Sequence, residues 1–199
     1  MFLFTSYRPD IYQQKYLAHQ ERKKKILTSN YGVAKWRKYT PEEQKLFFDI
    51  LKNRVSQRSF NREPVDVDFI LKQARMCPSS CSRQGIDFRV VGDRDLKDLL
   101  GGLLVGGVGW IHRANAIILL EANELAYKAG DEINFMPYLD AGIIAHNIYL
   151  ICEVLGVGAC FVNPNVRVGN ITLFNERFLL TNHKFVGAIA IGNYDKKHT

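Results

Sequence analysis

The sequence has little cysteine and no clear candidate for a membrane span or a secretion signal. Its four cysteines contain no C-x-x-C pair and fall far below the density of a disulfide scaffold, which fits a reducing compartment and predicts a cytoplasmic protein. The charge-free stretch around Gly101–Ile111 is well short of the roughly 18 residues that a spanning helix needs, so no membrane span is predicted. The N-terminus has neither a basic start nor a sustained apolar segment, so no secretory signal is expected.

What the chain does have is enough apolar sequence for one core. Its 199 residues are 47% apolar and 24% charged, which excludes collagen-like and disordered classes and predicts a single domain. The net charge of +7 is concentrated in the first 60 residues, which hold 13 Lys+Arg against 5 Asp+Glu. We therefore divide the chain into a basic helical extension, 1–39, and a domain, 40–199. Such an extension can attract nucleic acid, an anionic surface or an anionic small molecule, although a solvated face also fits.

Helical spacing and capping residues predict four helices in the domain. Thr40 and Pro41 mark the start of a helix over 41–53, whose apolar residues recur at helical spacing and are expected to face the core. The other three helices are expected at 67–74, at about 96–104 after Asp93 or Asp95, and at 141–154 after Asp140.

Apolar runs and alternation predict four strands, over 86–90, 116–120, 159–162 and 185–191. The run 116–120 is apolar throughout, so this strand is expected to be covered on both faces. The segment 122–139 is interpreted as a loop or a short helix. Helices and strands intermix without a βαβ rhythm, which indicates an α+β layer fold.

The glycine-rich stretch 101–109 is the first candidate for chemistry. It lacks the Gly-Lys-Ser/Thr of a phosphate-binding P-loop and the spacing of a dinucleotide fingerprint, so we interpret it as close packing or a flexible turn. The five histidines are isolated, so no metal site is expected, and no cysteine is placed beside a base.

A more informative loop is 54–60, with the sequence R-V-S-Q-R-S-F. Its two guanidinium groups and two hydroxyls can converge on one phosphate, since arginine supplies a rigid fork of charged donors. Taken alone, the same sequence is also typical of a solvated loop.

A second loop, 78–84, reads P-S-S-C-S-R-Q and leads into the strand F-R-V-V. Further on, D-A-G-I-I-A-H-N at 140–147 precedes L-G-V-G-A-C-F at 155–161, and A-I-A-I-G closes the pattern at 188–192. Together with loop 54–60, these pieces resemble the nitroreductase-like family of FMN-dependent oxidoreductases over about residues 45–194. The resemblance implies an α+β fold with a central, mostly antiparallel sheet flanked by helices, in a homodimer.

The resemblance also implies a set of FMN-binding residues. Arg54, Ser56 and Arg58 would hold the FMN phosphate and ribityl chain. The second loop would contact the flavin of the partner subunit, with Pro78, Ser79 and Ser80 along the ring and with Ser82 and Gln84 at its polar edge or ribityl hydroxyls.

Three further residues are implied beside the flavin. The backbone N–H of Asn163 would donate to flavin N5 and is the catalytic candidate, because Pro164 has no N–H. Lys196 or Lys197 would reach the phosphate. The apolar helix 141–154 would pack across the dimer interface.

The implied activity is two-electron reduction of a nitroaromatic, a quinone or another small conjugated acceptor with NAD(P)H, by a ping-pong cycle. Specialised flavin chemistry on the same scaffold, such as dehalogenation or flavin fragmentation, and flavin binding without turnover remain alternatives. So does a nucleic-acid-binding or surface-binding protein that uses the basic extension, although no recognised nucleic-acid motif accompanies it.

Overall fold

The computed structural model describes residues 14, 16–22, 37–61, 63–128, 130 and 132–195. It divides into two compact units, Met1–Pro41 and Glu42–Thr199. In the first unit, residues 16–22 are helical. The rest of the basic extension lies mostly outside the described residues. The second unit carries the sheet and the candidate site.

The second unit is built on one antiparallel sheet of four strands in the order β1-β2-β4-β3. The α+β class with an antiparallel sheet is therefore confirmed. The strands are β1 (Ile86–Val91), β2 (Ala116–Asn123), β3 (Gly158–Val162) and β4 (His183–Gly192).

Five helices are described in or at the edge of this unit. Asp66 and Asp93 act as N-caps of the second and third helices, accepting hydrogen bonds from the backbone N–H groups of Phe69 (3.0 Å) and Leu96 (2.9 Å). The pattern did not predict the fifth helix. The helices are α1 (Pro41–Asn53), α2 (Val67–Ala74), α3 (Arg94–Leu103), α4 (Glu132–Leu155) and α5 (Ile171–Phe178).

The core lies on both faces of the sheet. Ile118 and Leu120 of β2 point to the face covered by α2 and α4, whereas Ile117 and Leu119 point to the face covered by α3 and α5. This double coverage explains why β2 is apolar at successive positions, and it confirms the prediction for 116–120.

Helix α4 is longer than predicted. It begins at Glu132, so Asp140 is not its N-cap but a buried residue inside the helix. Asp140 misled the prediction, because aspartate is typical of a helix N-cap. Pro137 lies in the second turn of α4, where it removes only one helical N–H donor.

Helix α4 is long and apolar enough to cross a membrane, but core helices often have the same length and composition. Ile144 and Ile148 lie in the core against the sheet.

Helix α1 has the predicted bounds but not the predicted surroundings. No residue of α1 is buried, and Leu46, Phe47 and Phe48 are 63%, 50% and 61% exposed. The expectation that this apolar stripe faces the protomer's own core is therefore wrong. Helical spacing identifies an apolar face but not the surface that covers it.

Candidate functional site

The first part of the candidate site is loop 54–60, which lies along the free edge of strand β3. Ser56 forms a parallel bridge with Ala159, and the Gln57 N–H donates to the Ala159 carbonyl at 2.9 Å. These contacts cover the edge of the sheet and fix the backbone between Arg54 and Arg58. All three residues predicted to hold a phosphate are thereby placed at one sheet edge.

Tyr149, on α4, joins the start of this loop to the sheet. Its hydroxyl lies 3.1 Å from Ser56 Oγ and accepts a hydrogen bond of 2.6 Å from the Phe161 N–H. The Arg54 guanidinium lies over the Tyr149 ring, 5.0 Å from its centroid. Sequence reasoning missed Tyr149, for which the only signal was a phenol hydroxyl in an otherwise apolar stretch of helix.

Arg58 lies further along the same edge, over the ring of Trp110 and 5.9 Å from its centroid. It is also close enough to Cys160 to lower that thiol's pKa, but burial outweighs it and raises the pKa. Cys160 is therefore a neutral, buried thiol rather than a nucleophile. Among the described residues, neither Arg54 nor Arg58 forms an ion pair, so both guanidiniums remain available to an anion.

The glycine-rich stretch packs against the loop that follows β3. The Val105 N–H donates to the Asn165 carbonyl at 2.9 Å, and Trp110 Nε1 donates to the Gly106 carbonyl at 2.9 Å. A Cβ on Gly106 would lie 2.6 Å from the backbone nitrogen of Asn163. Close packing, one of the two interpretations of this stretch, is therefore what the structure shows.

Asn163 has the free donor that the resemblance implies. Its side-chain Oδ1 accepts from the Asn165 N–H at 3.0 Å, while its own backbone N–H donates to no residue that the structure describes. The residue is exposed. Lys196 and Lys197, the other candidates on this side, lie outside the described residues.

Loop 78–84 is a second, tightly wound part of the site. Cys81, Ser82 and Gln84 have positive φ angles of 50°, 56° and 51°, which non-glycine residues rarely adopt. Several hydrogen bonds hold the loop, among them those from the Gln84 N–H to Ser79 Oγ (2.9 Å) and from Gln84 Nε2 to the Cys77 carbonyl (3.0 Å). Such clustered strain is typical of functional loops.

Buried Asp140 fastens this loop to α4. Its Oδ1 accepts from the Ser80 N–H at 2.8 Å, and its Oδ2 accepts from the Tyr127 hydroxyl at 3.0 Å. Burial and this hydrogen bond raise the pKa of Tyr127, so the phenol stays protonated and remains a donor. Arg83 adds an ion pair with Glu132 at the start of α4.

Within one protomer, the two loops are not bonded to each other in the part of the chain that the structure describes. Across the described ranges, no hydrogen bond or ion pair links loop 78–84 to Arg54, Ser56 or Arg58. Each protomer therefore presents two distinct groups of candidate residues.

A cavity of about 460 Å³ lies beside the loop after β3. Pro164 and Asn165 line one side, Ile133 and Asn134 of α4 line another, and Phe174 lies in its wall. A volume of this size suits a small organic molecule.

Residues 103–193 match the family model of the nitroreductase family. The match covers β2, α4, β3, α5 and β4, a little under half of the chain. The resemblance seen in the sequence is thereby confirmed, and membership in this family implies an oxidoreductase. No curated protein matches the chain.

Solved structures of nitroreductase-family proteins share the fold. An FMN-dependent nitroreductase from Clostridium difficile R20291 is 26% identical, with a TM-score of 0.63 over 76% of this chain and 89% of that one. A Clostridium acetobutylicum protein named as a candidate NADH oxidase is also 26% identical, with a TM-score of 0.65 over 75% and 89% of the two chains. A nitroreductase family protein from Streptococcus pneumoniae TIGR4, at 18% identity and a TM-score of 0.64 over 77% and 92%, shows the fold alone.

Proposed function

We propose that this protein is an FMN-dependent oxidoreductase that reduces a small conjugated acceptor by two electrons, with NAD(P)H as the donor, in a ping-pong cycle. The observation that carries the proposal is the placement of Arg54, Ser56 and Arg58 along one sheet edge, with both guanidiniums free of carboxylates among the described residues. The similarity to a protein named an FMN-dependent nitroreductase supports it.

The residues of this edge fit a phosphate with a polyhydroxyl chain. Arg54 and Arg58 supply forked, charged donors, which suit phosphate oxygens, and Ser56 supplies a hydroxyl already oriented by Tyr149. Because the backbone of loop 54–60 is tied to β3, these donors need little reordering when the anion binds.

A flavin site also requires a hydrogen-bond donor beside the flavin ring, and the free N–H of Asn163 fits this requirement. When bound, FMN supplies the two-electron chemistry, and the protein's part is to bind and orient it. Asn163 presents a backbone donor whose position is fixed by the packing of Gly106 against it. We assign this N–H to the nitrogen of the flavin that exchanges the hydride.

We further propose that the protein acts as a homodimer, with loop 78–84 contacting the flavin held by the partner subunit. The lack of any hydrogen bond or ion pair between the described residues of the two loops supports this arrangement. So do the exposed apolar side chains of α1 and of α4, among them Phe47 and Ile143, which are 50% and 40% exposed.

The cavity beside Asn165 supports the assignment of a small acceptor. It adjoins the loop that carries Asn163, and its wall includes apolar and aromatic side chains suited to a conjugated ring.

Anaerobic reduction of the FMN-loaded protein tests this function. We expect NADH or NADPH to bleach the flavin absorbance, and a quinone or nitroaromatic to restore it. In steady-state assays with both substrates, a ping-pong cycle should give parallel lines in double-reciprocal plots of the initial rates. Bound flavin that neither nicotinamide reduces, while dithionite does, would contradict turnover and leave flavin binding alone.

A further inference from the structure

A second cavity, of about 670 Å³, lies where the start of α3 meets the turn before β2. It is formed by the start of α3, the turn Ile111–Arg113 before β2, and the end of loop 54–60 at Phe60 and Asn61. Its lining contains none of Arg54, Ser56, Arg58 or Asn163. We call it the basic cavity.

The charged side chains of the basic cavity are mostly positive. Arg94, Lys97 and Arg113 line it, whereas Asp98 is the only carboxylate among the described residues of its lining. Arg94 and Arg113 form no ion pair with any residue that the structure describes. Asp93, at the start of α3, also acts on Lys97. The three cations still outnumber the carboxylates around them, and an anion between them would reduce their mutual repulsion.

Lys97 is the best-positioned of the three cations. Its ammonium donates to the carbonyls of Ala114 (2.7 Å) and Asn115 (3.3 Å), so its position is fixed by the backbone at the start of β2. An ammonium has three donors, and the third has no partner among the described residues. Burial lowers the pKa of Lys97, because it takes the charged ammonium out of water. A bound anion would stabilise the charged form again.

Two lining residues of the basic cavity, Asn115 and Phe60, are held in place by their neighbours. Asn115 Oδ1 accepts from the Asn193 N–H at 3.1 Å, and its Nδ2 donates to the Glu63 carbonyl. The Phe60 ring stacks on Trp110 with centroids 6.3 Å apart, which fixes an apolar surface beside the cations. The site therefore combines forked cationic donors with a flat apolar wall.

We propose that the basic cavity binds a small phosphate-bearing ligand, with phosphate oxygens on Lys97, Arg94 and Arg113 and an apolar part against Phe60. Arginine forks suit phosphate oxygens, and the third donor of Lys97 adds a charge-assisted hydrogen bond. The volume exceeds that of a free phosphate and is in the range of small-molecule sites.

Calorimetric titration with inorganic pyrophosphate tests the proposal. The protein is first saturated with FMN, so that the phosphate donors assigned to the flavin are occupied. We expect one pyrophosphate per protomer, with affinity that falls as salt rises. Absence of saturable binding at low salt would overturn the proposal.

Three variants locate the anion. Arg94→Gln and Arg113→Gln should each weaken pyrophosphate binding at least tenfold, because each removes a charged donor at an exposed position and leaves the core intact. Arg177→Gln is the matched control, since it removes the same charge from exposed sequence outside the cavity. Equal affinity in the cavity variants and the control would contradict the proposal.

The same titration on flavin-free protein separates this inference from the proposed function. If the protein binds no FMN, the proposed function fails, but pyrophosphate binding that is weakened by Arg113→Gln still supports the basic cavity. If FMN binds and Arg113→Gln leaves the pyrophosphate affinity of the loaded protein unchanged, only the basic cavity is contradicted.

Discussion

At the scale of single residues, the phosphate contact assigned to Arg58 is the easiest assignment to test. Replacing Arg58 by Gln should weaken FMN binding by about 1.5–3 kcal/mol, since a charged hydrogen bond to phosphate is lost. Fluorescence titration of FMN measures this, and Arg177→Gln serves as the control because it removes an arginine from an exposed position elsewhere. Unchanged affinity in both Arg58→Gln and Arg54→Gln would mean that the phosphate lies elsewhere.

Asp140 allows a second prediction at this scale. Asp140→Ala leaves the half-buried Ser80 N–H and the buried Tyr127 hydroxyl without their acceptor, and each loss costs about 1–3 kcal/mol. Urea unfolding should therefore show a clear loss of stability. Asp140→Asn keeps one acceptor oxygen and should lose less, and Tyr127→Phe removes only one of the two contacts. Equal stability of Asp140→Ala and the wild type would contradict the assigned role.

Single residues also show what sequence reasoning could and could not supply. Asp93 was identifiable as a cap because its contact is local, to the N–H of Leu96. Tyr149 was not, because its contact to Ser56 joins residues 93 positions apart. The loop residues 54–58 were found through a family resemblance, but the sheet edge that aligns them became visible only in the structure.

At the scale of elements, a polar cluster joins β1, β2 and β4. His183 Nδ1 lies 2.8 Å from the Thr181 carbonyl, and Nε2 lies 2.9 Å from Asp87 Oδ2. Burial lowers the pKa of His183, but these two acceptors outweigh burial and raise it, because both ring nitrogens then carry protons. Burial has the opposite effect on the neighbouring Glu121 carboxyl, whose pKa it raises.

This cluster predicts how stability changes with pH. A raised pKa in the folded state means that the contribution of His183 is complete below its unfolded pKa of about 6.5 and disappears as pH rises through the folded value. The melting temperature of His183→Gln should therefore differ most from the wild type below about pH 6.5, and the difference should shrink at higher pH. Asp87→Asn should give the same trend. A difference that is constant with pH would contradict it.

The elements also differ in how well their sequence predicted them. Strand β2 was predicted as a doubly covered strand because its apolar run is continuous, and this signal can be read from the local sequence alone. Helix α4 was predicted too short, since Asp140 is typical of helix starts. Asp140 is instead retained inside the helix for its tertiary contacts with Ser80 and Tyr127.

At the scale of the whole molecule, the exposed apolar faces of α1 and α4 predict association. Phe47→Glu and Ile143→Glu should each convert a dimer into monomers and weaken FMN binding, because loop 78–84 would no longer reach the partner's flavin. Sedimentation velocity measures the change in mass. Val168→Glu is the control, since Val168 is 87% exposed and lies in a turn outside both helices. The shared site would be refuted if the wild type is a monomer and binds FMN as tightly as the variants do.

The visible absorption spectrum of the purified protein, taken after incubation with FMN and removal of the free flavin, tests the central claim most directly. The structure places Arg54, Ser56 and Arg58 along the β3 edge, and the backbone N–H of Asn163, directly after β3, donates to no described residue. We therefore expect retained flavin bands with about one FMN per protomer. A colourless protein after the same treatment would contradict the account.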